Sequence, residues 1–161
     1  MTPSNEFHAQ IGQVKIGRPG EYLHALLGSC IGIGVLHADQ RIYGLAHCLL
    51  SKSPGPITEI GARHVDQAVY SLMKLMDITE DNRRRVNVFI AGGGNMTQSE
   101  DASSSRLGGS VNSEFAKKVL REKRLRLIHE DVGGCNARKV IIDCETGEYE
   151  IKRIPRLGAA A

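Results

Sequence analysis

The stretch Leu26-Leu27-Gly28-Ser29-Cys30-Ile31-Gly32-Ile33-Gly34-Val35-Leu36-His37-Ala38-Asp39-Gln40-Arg41-Ile42-Tyr43-Gly44-Leu45-Ala46-His47-Cys48-Leu49-Leu50 decides how the rest of the chain is read. Two apolar runs, Ile31 to His37 and Arg41 to His47, flank the polar segment Ala38-Asp39-Gln40 and predict a β-hairpin. Cys30 opens one arm after the small-residue turn Gly28-Ser29, and His47 closes the other, seventeen positions on. Antiparallel pairing returns those ends to each other, with strands about 4.8 Å apart. A thiol is a poor nucleophile until ionised; an adjacent imidazole can take its proton and hold the thiolate as an ion pair. The turn Gly28-Ser29-Cys30 can present main-chain N–H groups to a substrate carbonyl oxygen. Cys30 and His47 are therefore the candidate nucleophile and base. Cys48 adjoins His47 and, by strand alternation, faces the other way into a core.

Outward from the hairpin, residues 1–10 are polar and read as a loose N-terminus. Ile11 to Ile16 and Glu21 to Leu27 read as strands, separated by the turn Arg18-Pro19-Gly20. Ser51 to Pro56 is a loop. Thr58 is placed to cap a helix reaching Met76, with the stripe Val65, Ala68, Val69, Leu72, Leu75 and Met76. Arg85 to Ala91 alternates as a strand and feeds the turn Gly92-Gly93-Gly94-Asn95. Residues 97–106 are polar and Ser-rich. Asn112 is a candidate cap for a second helix carrying Phe115, Val119 and Leu120 inward. Leu125 to Glu130, Lys139 to Cys144 and Tyr149 to Ile154 read as strands, and residues 156–161 as a frayed tail. Strands at both ends and two helices in the middle, without β-α-β alternation, indicate an α+β fold of mixed and antiparallel sheets. One domain over residues 11–155 accommodates these elements.

Composition narrows the function classes. The chain has 161 residues, 41% hydrophobic and 24% charged, as for a soluble globular protein. Its longest apolar or small stretch, Ala25 to Leu36, is too short to span a bilayer. The segment Met1 to Glu6 lacks the basic and apolar regions of a secretory leader, which points to the cytoplasm. The four cysteines are not spaced as a disulfide framework, so reduced thiols are expected. A net charge of +3, without an aromatic-interleaved basic stripe, argues against nucleic acid as partner. Cys30, His37, His47 and Cys48 lack the paired spacings of a metal site, so no metal is assigned.

Each candidate has a plainer reading. A free cysteine is usually a small buried hydrophobe, and His47 could be a packed strand-end histidine. Ser29 could lend its hydroxyl or N–H to the carbonyl oxygen, or serve the turn alone. Gly92-Gly93-Gly94 lacks the phosphate-loop pattern and reads as backbone turning. Gly133-Gly134 with Arg138 reads as structural or as a partner contact.

Beyond the central stretch, Ala91-Gly92-Gly93-Gly94-Asn95-Met96, Glu130-Asp131-Val132-Gly133-Gly134 with Arg138-Lys139-Val140, and Asp143 to Gly147 follow in order. Together with Leu27 to Leu50 these motifs resemble the chemoreceptor glutamine deamidase family, CheD, over residues 12–154. The resemblance implies sheets flanked by helices and a Cys/His site at a sheet edge. It implies a cofactor-free protein-glutamine deamidase that converts receptor glutamines to glutamate with release of ammonia. The implied substrates are methyl-accepting chemotaxis receptors, reached peripherally at the membrane, and a CheC-type phosphatase is an implied partner. The family carries a catalytic threonine on the strand before Gly-Ser-Cys. His24 stands nearby here, as a possible third group or orienter. The polar segment Thr97 to Arg106 also departs from the family. Two other classes stay open: an impaired module that docks on receptors or phosphatase, and a different cysteine hydrolase or transamidase.

Overall fold

A computed structural model of the chain describes residues 5–96 and 109–155. The readings made for residues 1–4, Thr97 to Arg106 and 156–161 lie outside the described residues. The strands are β1 (Glu6–His8), β2 (Val14–Gly17), β3 (Tyr22–Leu27), β4 (Ile31–His37), β5 (Ile42–Cys48), β6 (Asn87–Gly92), β7 (Arg126–Val132), β8 (Ala137–Asp143) and β9 (Glu148–Ile154). The helices are α1 (Val65–Leu75) and α2 (Gly109–Glu122). The α+β expectation of mixed and antiparallel sheets with helices is met.

Strand alternation explains the layering. On β4 and β5, Ile31, Ile33, Val35, Ile42, Ala46 and Cys48 turn to one side and pack on Val65, Val69 and Leu72 of α1 and on Ala116, Val119 and Leu120 of α2. Tyr43 and Leu45 turn to the other side, with Phe89 and Ala91 of β6. There they meet Leu23, Ala25 and Leu27 of β3 and Val140 and Ile142 of β8. The result is three layers: helices, a five-stranded sheet in the order β2-β5-β4-β6-β7, and a four-stranded sheet in the order β1-β3-β8-β9. Within the inter-sheet layer the Phe89 ring fills the space over Gly34 and stacks on Tyr149, centroids 4.1 Å apart.

The expected hairpin forms between β4 and β5, antiparallel over seven residue pairs from Ile31↔Cys48 to His37↔Ile42. Four readings need correction. The expected loose N-terminus contains β1, which pairs in parallel with β3 from Glu6↔Tyr22 to His8↔His24, with Phe7 packed on the inter-sheet core. The strand expected at Ile11 begins at Val14, because Gly12 turns the chain at φ 85°. Helix α1 begins at Val65 rather than Thr58. The preceding segment carries Pro54, Gly55, Pro56 and Gly61, and it is tied down by bonds that need extended chain. Leu49 and Leu50 N–H both donate to the Arg63 carbonyl, and Ser71 Oγ bridges the N–H and C=O of Gly61. Finally, α2 already runs at Gly109, so Asn112 lies inside its first turn. Its amide donates to the Leu49 carbonyl at 2.9 Å and accepts from Ser51 Oγ, fastening the helix to the chain beyond β5.

Candidate active site

Cys30 precedes the first residue of β4, and His47 is the penultimate residue of β5. The register places His47 directly opposite Gly32, two residues from Cys30. Residues two apart on a strand share a face, and diagonal neighbours across a pair lie about 7–8 Å apart, within reach of a long side chain. Cys30 belongs to the inter-sheet cluster, and Ile31 to the helix side. His47 lies on the face of Tyr43 and Leu45, and Cys48 on the helix face. Both candidate groups therefore stand at one end of the layer between the sheets. Cys30 is 6% exposed and His47 4%.

The Cys30 turn is held by its carbonyls. Gly94 N–H donates to Gly28 O at 3.0 Å and Gly93 N–H to Cys30 O at 2.8 Å. Peptide C=O and N–H point in opposite directions. The Ser29 N–H is thus directed away from the glycine loop. Gly92 must be glycine here: its φ is 104°, and a Cβ would overlap the Cys30 carbonyl. The Met96 side chain lies 3.2 Å from where a Gly28 Cβ would stand. Asn95 N–H reaches Gly134 O at 2.8 Å and Gly133 N–H reaches Gly92 O at 3.0 Å, so the three loops after β3, β6 and β7 form one connected rim. Arg138, 1% exposed, braces that rim. Its guanidinium donates to Gly133 O at 2.5 Å, Asn136 O at 2.8 Å and Asp131 Oδ1 at 3.1 Å. Asp131 also meets Arg153 at 2.9 Å, and these two hydrogen-bonded guanidiniums hold its carboxyl below the ordinary range against the opposing effect of burial.

His47 Nδ1 lies 2.8 Å from the carbonyl oxygen of Ala9. A carbonyl only accepts, so Nδ1 carries the proton and Nε2 presents its lone pair. Burial pushes the imidazole below its ordinary pKa of 6.5; the Ala9 bond opposes this, and His8 adds to it. Burial alone raises the Cys30 thiol from 9.0. Each shift favours the uncharged form of its own group over a resting thiolate–imidazolium pair. A neutral thiol and imidazole can pass a proton when a carbonyl carbon arrives.

The remaining candidates divide. Ser29 is exposed at the turn beside Cys30. His24 is not brought to the centre. On β3 it is Leu23, Ala25 and Leu27 that face the inter-sheet layer, so His24 stands on the outer face, stacked on His8 at 4.7 Å. Burial and His8 hold its imidazole below the ordinary value, so the 3.8 Å contact with Glu6 is no ion pair at neutral pH. The residue that reaches His47 is Ala9, through its main chain. No residue-type signal marks a main-chain carbonyl acceptor of this kind.

The family described as CheD chemotactic sensory transduction matches residues 49–153. A protein of Ruegeria sp. (strain TM1040), named probable chemoreceptor glutamine deamidase CheD 2, is 48% identical, covering 96% of this chain and 95% of its own. A second, from Bdellovibrio bacteriovorus and named probable chemoreceptor glutamine deamidase CheD, is 34% identical over 94% of this chain and 96% of its own. Among solved structures, the hypothetical protein YfiH of Bacillus licheniformis overlays with a TM-score of 0.45 at 12% identity, covering 76% of this chain and 51% of that one. With that family matched over most of its length, and relatives aligned nearly end to end, the chain belongs to the CheD family.

Proposed function

We propose that this protein is a protein-glutamine deamidase of chemotaxis receptors, with Cys30 as nucleophile and His47 as its base. The observation that carries the residue assignment is the β4–β5 register, which sets Cys30 and His47 on one face at the same end of the hairpin. The carbonyl-bonded Nδ1 supports it, because Nε2 is left as the basic nitrogen. His47 Nε2 takes the Cys30 proton as sulfur attacks the side-chain amide carbon of a receptor glutamine. The tetrahedral oxyanion is met by N–H donors of the Gly28-Ser29-Cys30 turn. His47 returns the proton to nitrogen, ammonia leaves, and a thioester remains. Water, deprotonated by His47, hydrolyses the thioester to glutamate and restores the thiol. The step needs no cofactor: the thiol, one base and water balance it.

The substrate class fits the site's position. A dyad at the end of a sheet layer, beside exposed Ser29 and Met96, suits a side chain projecting from a helical surface better than a buried small molecule. Among the described residues no helix is long and apolar enough to cross a membrane. Action on the cytoplasmic helices of receptors places the protein in the cytoplasm, peripheral to the membrane. A CheC-type phosphatase is the proposed second partner, and co-purification with the purified phosphatase tests it. For the activity, receptor fragments are incubated with the protein and mapped by mass spectrometry. Conversion of particular glutamines to glutamate, matched by ammonia release, is expected. Unmodified fragments, with the protein still bound to them, would make it a docking module.

A further inference from the structure

We propose that the N-terminal segment Glu6 to Gln13 is a working part of the catalytic centre: it holds His47 in its reactive tautomer and orientation, with the Ala9 carbonyl as the deciding contact. The inference rests on the Cys30/His47 reading. The segment meets His47 at three points. Ala9 O accepts from the ring Nδ1 at 2.8 Å, Gly12 N–H donates to His47 O at 2.8 Å, and Gln13 O accepts from His47 N–H at 3.0 Å. The residue is thus gripped by its ring, its carbonyl and its amide, all from five consecutive positions.

That grip depends on how Ala9 is delivered. Strand β1 is three residues long and lies at the edge of the four-stranded sheet. Its pairing with β3 ends at His8↔His24, and Ala9 N–H then donates to His24 O at 2.8 Å. Ala9 is fully buried and Phe7 packs on the inter-sheet core. The chain next turns at Gly12, φ 85°, closed by Gln13 N–H to Gln10 O at 2.8 Å. The Ala9 N–H is therefore anchored to the four-stranded sheet, and the Ala9 carbonyl reaches across to the five-stranded sheet. Ala9 couples the two sheets at the base. Without an acceptor at Nδ1 the neutral ring is free to place its proton on Nε2, where it cannot accept one from Cys30. Ala9 is accordingly a positioning residue that acts through His47.

The test changes one atom. Ligation at the Ser29–Cys30 junction, with Cys30 supplying the required thiol, yields the full chain with sulfur in place of the Ala9 carbonyl oxygen. An all-oxygen chain made the same way is the reference, and a chain with sulfur at the Phe7 carbonyl weakens β1 without touching the His47 acceptor. Nitrogen-15 shifts of the His47 ring report where the proton sits. We expect Nδ1–H in the reference, a shift toward Nε2–H with sulfur at Ala9, and no such shift with sulfur at Phe7. On a receptor fragment, kcat should fall about tenfold to hundredfold for the Ala9 chain with KM little changed, a share of the about 10²–10⁴-fold that a positioned base supplies. An Nε2–H tautomer in the unaltered protein overturns the proposal. So does an Ala9 sulfur chain that keeps both tautomer and rate, or a Phe7 chain that loses as much rate. If the reference releases no ammonia the deamidase reading fails, and the nitrogen shifts still decide the role of Ala9.

Discussion

His47 and Cys48 are adjacent on β5, yet they live in different chemistry. Cys48 turns toward α1 and α2 into a layer of aliphatic side chains, and burial drives its thiol far above its ordinary pKa. His47 turns into the inter-sheet layer, where a main-chain carbonyl meets one nitrogen. Cys48 and Cys30, two of the three buried thiols, show the same contrast. Cys48 is fully buried in the helix-side core, whereas Cys30 sits at the end of its layer, beside exposed Ser29 and a rim of loops whose amides bond its own turn. Burial alone therefore does not distinguish the two thiols. Under the proposed mechanism, position at the open end of a layer, with a base on the same face, does.

The sharpest way to break this contrast is to remove each thiol in turn. Cys30→Ala should abolish ammonia release, a loss of about 10⁴-fold or more, as for other covalent nucleophiles. Cys48→Ala should keep most of the rate and lose stability, about 1–2 kcal/mol for the cavity left in the helix-side core. Initial rates and urea unfolding of both variants decide it. Activity in Cys30→Ala would transfer the chemistry elsewhere.

The glycine rim gives the next largest effect. Gly92→Ala puts a methyl on the Cys30 carbonyl at a φ of 104°, whereas Gly133→Ala, at φ 83°, meets nothing within 4 Å. Both carry backbone strain, about 1–2 kcal/mol for a left-handed alanine. Only Gly92→Ala also displaces the Cys30 turn, so it should unfold more easily and lose rate beyond Gly133→Ala. Equal stability and equal rates for the two would show that the rim does not position Cys30.

Proton state offers a subtler test. An ion pair would make Cys30 alkylation by iodoacetamide fast and flat across neutral pH. With the thiol raised above 9.0 and the imidazole lowered below 6.5, labelling of Cys30 should instead climb with pH through neutrality. Half-exposed Cys135 should label first at pH 7. For kcat/KM, the acid limb belongs to His47: its neutral form is the active one, and its folded pKa is depressed, so activity should hold as pH falls to 6.5 and decline only below it. Stability follows the same sign: the contribution is complete above the unfolded value of 6.5 and is lost as pH falls from there to the folded value. A plateau in Cys30 labelling below pH 7, seen by peptide mapping, would restore the ion pair.

What the sequence disclosed and what it hid have separate physical causes. The hairpin was legible because alternation and a turn lie within twenty residues, and the Cys30/His47 face follows from them. The start of α1 was misplaced because an apolar stripe extrapolates backward through Pro54, Gly55, Pro56 and Gly61, where side-chain and main-chain bonds hold extended chain. β1 was missed because three residues of parallel pairing have no local pattern. Ala9 was invisible for a deeper reason: its contribution is a carbonyl, which every residue has. The outward place of His24 was also legible, since Leu23, Ala25 and Leu27 claim the inward face of β3 and alternation sends residue 24 outward.

His24 carries the smallest expected effect and separates a direct role from an indirect one. Its side chain stacks on His8 and touches Glu6, on the far side of β3 from Cys30. Its carbonyl, which any substitution preserves, is what holds the Ala9 N–H. His24→Ala therefore removes only surface contacts of β1, worth about 0–1 kcal/mol together. That corresponds to less than about fivefold in kcat, since 1.4 kcal/mol is tenfold. His24→Phe keeps a ring over His8 and should recover the loss, and His24→Thr should behave as His24→Ala. Hydrogen exchange at the Ala9 amide follows the same order if the effect runs through β1: faster in His24→Ala and His24→Thr, near the parent rate in His24→Phe. A tenfold or greater loss in His24→Ala with Ala9 exchange unchanged, restored by threonine and not by phenylalanine, would mean that the side chain at position 24 acts on the reaction itself.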